Sequence, residues 1–264
     1  MFAPGLLSNR VAVVTGGGTG LGLAIAARLG ALGALVAIGS RNAAHLERGT
    51  AELRHAGLDP QAIQLDVRKP EQVAEMVTRV TRHFGRIDIL INNAAGNFVC
   101  PAEDLSTSGW DAVVGSALNG SFYCARAVGR HMIARGGGGS IVSILANYVW
   151  TGSAGTVHSA AARAGVRSMT QTLAVEWARH RIRVNAVAPG PIESEGAARQ
   201  LWNSPEALQR VTDMVPLARL GTPGEVADAV AYLVSDHAGF ITGETLTIDG
   251  GAWLGGGSFG FLKR

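Results

Sequence analysis

The stretch Thr15-Gly16-Gly17-Gly18-Thr19-Gly20-Leu21-Gly22 concentrates glycine in a way that suits one task, the holding of a pyrophosphate. Glycine permits positive φ and lets backbone N–H groups come close to a ligand, and a helix N-terminus carries roughly half a positive charge. Two later side chains extend this reading. Arg41, preceded by Ser40, stands about 20 residues past the glycines, where an acidic residue would take a ribose 2′-hydroxyl and an arginine accommodates a 2′-phosphate. No Asp or Glu occurs from Ala34 until Glu47, so NADP(H) is favoured over NAD(H), with a solvated surface arginine as the plain alternative. Asp66, followed by Val67, could accept a hydrogen bond from an adenine amino group or simply cap the next turn.

These residues need strands and helices to place them, and the sequence provides both. The apolar run Val11-Ala12-Val13-Val14 reads as a buried strand that feeds a helix through the glycines, the context that a Rossmann-type dinucleotide turn requires. Further strands are expected at Ala34–Ile38, Ala62–Val67, Ile87–Ile91, Ser140–Leu145, Ile182–Val187 and Leu246–Ile248, with helices from about Asn42 to His55, Pro70 to Phe84, Ser106 to Ala134, Thr156 to His180 and Glu225 to Val234. This alternation predicts an α/β chain, a single doubly wound Rossmann domain over residues 1–264 whose mostly parallel seven-stranded sheet carries helices on both faces.

Ligands of open α/β sheets bind beyond the carboxyl ends of the strands. There the sequence sets Asn92-Asn93-Ala94-Ala95-Gly96-Asn97 and Ala188-Pro189-Gly190-Pro191-Ile192, the latter a rigid turn. Residues 193–220 are less regular and read as an excursion that shapes a substrate pocket. Asn119 lies in mid-helix, where asparagine is not preferred, and a packing role would explain it.

Composition removes several classes of function. The chain has 264 residues, is 47% hydrophobic and 16% charged, and can bury a full core. Its net charge of +3 comes from scattered arginines rather than runs, which argues against nucleic acid as a partner. Cys100 and Cys124 show neither a disulfide framework nor zinc-ligand spacing, so no metal is expected and reduced cytoplasm is the expected location. No window approaches the length of a membrane span, the N-terminus lacks a secretory pattern, and Leu262-Lys263-Arg264 does not read as a peroxisomal address.

Taken together, Thr15 to Gly22, Asp66, Asn92-Asn93-Ala94-Ala95-Gly96, Asn119, Pro189-Gly190 and Asp249-Gly250-Gly251 resemble the short-chain dehydrogenase/reductase family along nearly the whole chain. The resemblance implies cofactor contacts at Gly16, Thr19, Gly20, Leu21, Gly22, Ser40, Arg41, Asp66, Val67, Asn93, Ala94, Ala95, Arg163, Pro189, Gly190 and Ile192, and commonly a homotetramer. The family's usual Tyr and Lys, four residues apart on one helix, are absent. Ser159 and Arg163 stand in their places and still share a helix face. The tyrosines Tyr123, Tyr148 and Tyr232 have no lysine four residues on, and Lys69 and Lys263 lie elsewhere. An ordinary ketone reductase is therefore disfavoured.

One branch of the family carries a serine in place of that tyrosine, the 2,4-dienoyl-CoA reductases. The chain resembles them around Gly96-Asn97-Phe98, Tyr148, Thr151-Gly152-Ser153, Ser159, Ala164-Gly165-Val166 and Gly190-Pro191-Ile192, departing at Arg163, where the branch has lysine. His158 to Gly165 and Ala3-Pro4-Gly5-Leu6-Leu7 look instead like the peroxisomal trans-2-enoyl-CoA reductases. Both relatives reduce a double bond conjugated to a CoA thioester, so an acyl-CoA substrate in fatty-acid β-oxidation is implied. Tyr148 and Asn97 would donate to the thioester oxygen, Arg163 would hold the nicotinamide ribose, and Ser159 would orient substrate or a water. The plain alternatives are packing for Tyr148, a local cap for Asn97, a structural pairing with Glu176 or a neighbouring loop for Arg163, and no catalytic part for His158. A dinucleotide-binding regulator that has lost catalysis stays open because the lysine is missing.

Overall fold

The computed structural model describes residues 2–193 and 204–254. Seven strands form one sheet: β1 Val11–Thr15, β2 Leu35–Ser40, β3 Gln61–Gln64, β4 Ile89–Asn92, β5 Gly139–Ile144, β6 Ile182–Pro189 and β7 Thr245–Ile248. Their order is β3-β2-β1-β4-β5-β6-β7 and every neighbouring pair is parallel. The chain runs outward from β1 in one direction and then from β4 in the other, which opens a crevice at the carboxyl ends of β1 and β4. The expected single α/β domain with a doubly wound sheet is what forms.

The central strands β1 and β4 are buried along their whole length because helices cover both faces of the sheet, while the edge strands β3 and β7 are more polar. The main helices are α1 Gly20–Ala31, α2 Ala43–His55, α3 Pro70–Phe84, α4 Thr107–Val114, α5 Gly120–Arg135, α6 Val157–Trp177, α7 Pro205–Asp213 and α8 Pro223–Val234. One core packs Ile25, Leu29 and Val230 against Val14, Ile38 and Ile91. The other packs Met76, Val128 and Met132 against Val13, Leu90 and Ile141 on the opposite face.

Several local expectations change. Asp66 lies beyond the end of β3 rather than in it, because β3 pairs only over Gln61–Gln64. The helix expected from Ser106 to Ala134 contains a π turn at Gly115–Asn119 between α4 and α5. Asn119 ends that turn and is exposed, so the packing role expected for it is not found; the buried neighbour is Gly120, where a Cβ would meet Val67 at 2.6 Å. The stretch expected to be irregular contains α7, while residues 194–203 of that excursion and the terminus Leu262-Lys263-Arg264 lie outside the described residues.

The edge of the crevice is fixed by Thr15, which is buried at 1% exposure. Its hydroxyl donates to the Ile91 carbonyl at 3.2 Å and accepts from the N–H groups of Asn93 at 3.0 Å and Ala94 at 3.1 Å. One side chain thus joins the ends of β1 and β4. Thr15→Val keeps the shape but orphans these groups, so urea unfolding should show a loss on the order of 2 kcal/mol. A midpoint equal to wild type would mean that the two strand ends are held by something else.

Candidate active site

The glycine turn is built to expose its backbone. Gly16 has φ of +67° and Gly20 has φ of +53°, a region open to glycine at little cost. Gly22 is needed for a different reason, since a Cβ there would collide with the Gly16 carbonyl and with Asn93. The Asn93 amide donates to the carbonyls of Thr15 at 3.0 Å and Gly16 at 3.2 Å, so this side chain shapes the turn from below. Thr19 is the N-cap of α1 yet its hydroxyl makes no capping bond, and no acidic residue lies in the first turn. The positive end of α1 is therefore not neutralised by the protein, as a site for a phosphate requires. Leu21 is half-buried behind it.

Ser40 ends β2 and Arg41 follows it, exposed, and the charge of Arg41 reaches Asp66. Asp66 accepts from the Arg68 guanidinium at 2.6–3.1 Å and from its backbone N–H at 3.1 Å. The Arg68 side-chain bond is the main reason that the Asp66 carboxyl is held down to about 2, against the smaller opposing effect of burial. An adenine amino group would share this carboxylate with Arg68. Val67 is buried against Gly120, Ala94 is half-buried and Ala95 exposed beyond β4. Pro189 is buried at the end of β6, Gly190 donates its N–H to Ile248, and the Ile192 side chain is buried in a bridge to Gly221. All of these positions lie at the carboxyl edge of the sheet.

At the same edge, four side chains from three segments meet. Asn97, in the loop after β4, donates from Nδ2 to the Tyr148 hydroxyl at 3.3 Å. Tyr148 sits in a short 3-10 turn, Asn147–Val149, after β5. Its oxygen is 2.9 Å from Ser159 Oγ on α6, and Arg163, one turn further along α6, donates from Nη1 to that same Oγ. The line Asn97, Tyr148, Ser159, Arg163 is thus continuous. Ser159 is fully buried, so bulk water does not reach it, and its hydroxyl connects to the crevice through Tyr148. Arg163 makes this bond and no ion pair with Glu176, which is exposed, among the described residues.

His158 is fully buried, and neither ring nitrogen has a hydrogen-bond partner among the described residues. Its ring packs against Phe98 with centroids 4.4 Å apart. Burial first, and the Arg163 cation second, push its pKa below the ordinary 6.5, so the ring is held neutral. Cys124 is buried and its thiol is pushed up to about 12 by that burial, which makes it a packing group. Among the described residues no three His, Cys, Asp or Glu side chains gather as a metal site, and no helix is long and apolar enough to cross a membrane.

Sequence patterns gave no sign of the contacts that hold the Tyr148 turn. Asp249 receives a hydrogen bond from the side chain of Asn147, and Trp150 stacks on Trp253. Both pairs join positions about a hundred residues apart, with no local periodicity to mark them.

The fold and the crevice define an oxidoreductase built on a dinucleotide-binding domain, and the comparisons agree. Residues 16–252 match the family described as enoyl-(acyl carrier protein) reductase. The chain belongs to the short-chain dehydrogenase/reductase family. It is 46% identical over 249 residues to a Bacillus subtilis protein named "Probable 2,4-dienoyl-CoA reductase [(2E)-enoyl-CoA-producing]", covering 94% of this chain and 98% of that one. It is 40% identical to the peroxisomal 2,4-dienoyl-CoA reductase of Danio rerio, over 96% of this chain and 85% of that one. A crystal structure of a short chain dehydrogenase from Bacillus anthracis superposes with a TM-score of 0.85 at 46% identity, covering 92% and 96% of the two chains. This family and fold imply a nicotinamide dinucleotide. The uncapped Thr19, the acid-free first turn of α1 and the cradle closed by Gly22 fit its pyrophosphate.

The neutral His158 has a consequence for stability. Its value in the folded chain lies below that in the unfolded chain, so below about pH 6.5 the unfolded state binds more protons and stability falls with acid. His158→Gln should lose less stability than wild type between pH 7.5 and 5.5 in urea melts, and an equal loss would contradict the buried neutral ring.

Proposed function

We propose that the chain is an NADPH-dependent reductase of 2,4-dienoyl-CoA thioesters, acting on a carbon–carbon double bond conjugated with the thioester carbonyl. The observation that carries this reading is the continuous line from Asn97 through Tyr148 and Ser159 to Arg163. When bound, the reduced dinucleotide supplies a hydride. Negative charge then develops on the thioester oxygen of the substrate, and the protein must meet it with fixed donors.

The direction of the hydrogen bonds does this. A guanidinium only donates, so Arg163 occupies an acceptor site on Ser159 Oγ and leaves the serine hydrogen free to turn to Tyr148. Asn97 donates to the phenol from the other side. The Tyr148 oxygen then accepts twice and keeps its own hydrogen for the thioester oxygen. Asn97 Nδ2 has a second hydrogen for the same purpose. Arg163 polarises the line but cannot release a proton, so its replacement of a lysine leaves electrostatic stabilisation in place and removes a proton donor; the proton that completes the reduction at the substrate carbon comes from a water entering at the open edge of the crevice. A further guanidinium nitrogen is available to the nicotinamide ribose.

Arg41 beside Ser40, with no carboxylate at the end of β2, supports the 2′-phosphate form of the cofactor. The names of the Bacillus subtilis and Danio rerio relatives support the dienoyl substrate. The reading places the enzyme in cytoplasmic fatty-acid β-oxidation as a homotetramer, which the exposed apolar Phe122 on α5 and Val175 on α6 support. A trans-2-enoyl-CoA reductase is the second reading, favoured by Arg163 itself, since the stretch around it looks like that of those enzymes.

Purified protein given NADPH should consume it with 2,4-dienoyl-CoA faster than with trans-2-enoyl-CoA. Cofactor binding without turnover on either thioester would favour a regulator. Tyr148→Phe should lower turnover by about 10² to 10³ while NADPH affinity stays within a factor of about two; near-normal turnover would move the oxyanion donor elsewhere. Arg41→Ala should weaken NADPH at least tenfold and NADH little, and equal losses for both would remove Arg41 from the 2′-phosphate.

A further inference from the structure

The turn that carries Tyr148 is only three residues long, and 3-10 geometry gives it weak internal bonds. It is clamped instead from three sides by residues remote in sequence. On one flank, Asn147 Nδ2 donates to Asp249 Oδ2 at 3.1 Å. The same oxygen accepts the Trp253 backbone N–H at 2.8 Å, and Oδ1 accepts that of Gly251 at 2.9 Å. On the other flank, Trp150 stacks on Trp253 with ring centroids 5.3 Å apart and planes 26° from parallel. The Arg167 guanidinium, on α6 one turn past Arg163, covers the Trp150 ring at 5.5 Å. The turn after β6 is pressed into the same cluster, since a Cβ on Gly190 would collide with that of Asp249.

We infer that Trp253, seated by Asp249, is a positioning residue for catalysis: it grips Trp150 while Asp249 holds Asn147, and together they fix the Tyr148 hydroxyl at its distance from Ser159. The inference rests on the proposed role of Tyr148. Physically, Asp249 binds Asn147 immediately before Tyr148, and Trp253 grips Trp150 two residues after it, so the phenol is held between two fixed points. Misplacing a reacting group by about 1 Å can cost about 10² in rate, and such an effect need not alter cofactor affinity. Trp253 is 39% exposed, so its truncation leaves the buried core untouched.

The 264-residue chain contains three tyrosines, so 3-fluorotyrosine labelling gives a simple 19F spectrum whose Tyr148 signal is assigned with Tyr148→Phe. In Trp253→Ala the Tyr148 resonance should shift or broaden while those of Tyr123 and Tyr232 stay put. Turnover of dienoyl-CoA should fall about tenfold or more with KM for NADPH nearly unchanged. Trp253→Phe, which can still stack, should restore both signals, and Asp249→Asn should reproduce the loss from the hydrogen-bonded side. A wild-type Tyr148 resonance and turnover in Trp253→Ala would overturn the inference. The resonance needs no substrate: if it moves in a protein that reduces no thioester, the clamp stands and the catalytic reading of Tyr148 falls.

Discussion

The site depends on one charged hydrogen bond, from the Arg163 guanidinium to the Ser159 hydroxyl. Ser159 is fully buried, so water does not compete for it, and a cation one helical turn away takes one of its acceptor sites and leaves its hydrogen free to turn to Tyr148. In the proposed function that direction passes to Tyr148 and from there to the open edge of the sheet. A buried hydroxyl chain without such a cation would have two equivalent directions; with it, the direction that leaves the phenol as a donor is favoured. The helix supplies the spacing, since residues four apart on α6 share a face.

The rest of the fold serves that line by bringing loop ends to one edge. Parallel strands put the glycine turn, the Asn93 loop, the Tyr148 turn and the Pro189-Gly190 turn side by side, and Thr15 ties the first two together. The dinucleotide cradle and the line from Asn97 to Arg163 therefore occupy different parts of the same crevice. The open α1 N-terminus suits a pyrophosphate, and in the proposed function the line on α6 and its neighbouring loops meets the substrate.

Much of this was legible in the sequence because it is local or periodic. The span Pro70–Phe84 for α3 coincides with the expectation, helped by proline at its start and glycine past its end. The glycine spacing and the i,i+4 pair Ser159 and Arg163 likewise depend on residues near one another. What was not legible depends on distant pairs: Asn147 with Asp249, Trp150 with Trp253, and Asn93 reaching back to Thr15 and Gly16. The π turn before Gly120 was also hidden, because a single extra residue in a helix leaves the apolar pattern nearly intact. Burial was not legible either: the Ser159 hydroxyl, which the sequence offered to substrate or a water, is enclosed behind Tyr148.

The central claim is that Ser159 acts through Tyr148 and not beside it. A double-mutant cycle on turnover, built from Tyr148→Phe, Ser159→Ala and the pair together, tests this directly. The account predicts that the double variant is scarcely slower than Tyr148→Phe alone, because the serine has no route to the thioester once the phenol is gone. Losses that multiply, with each substitution contributing its full factor in the presence of the other, would contradict it.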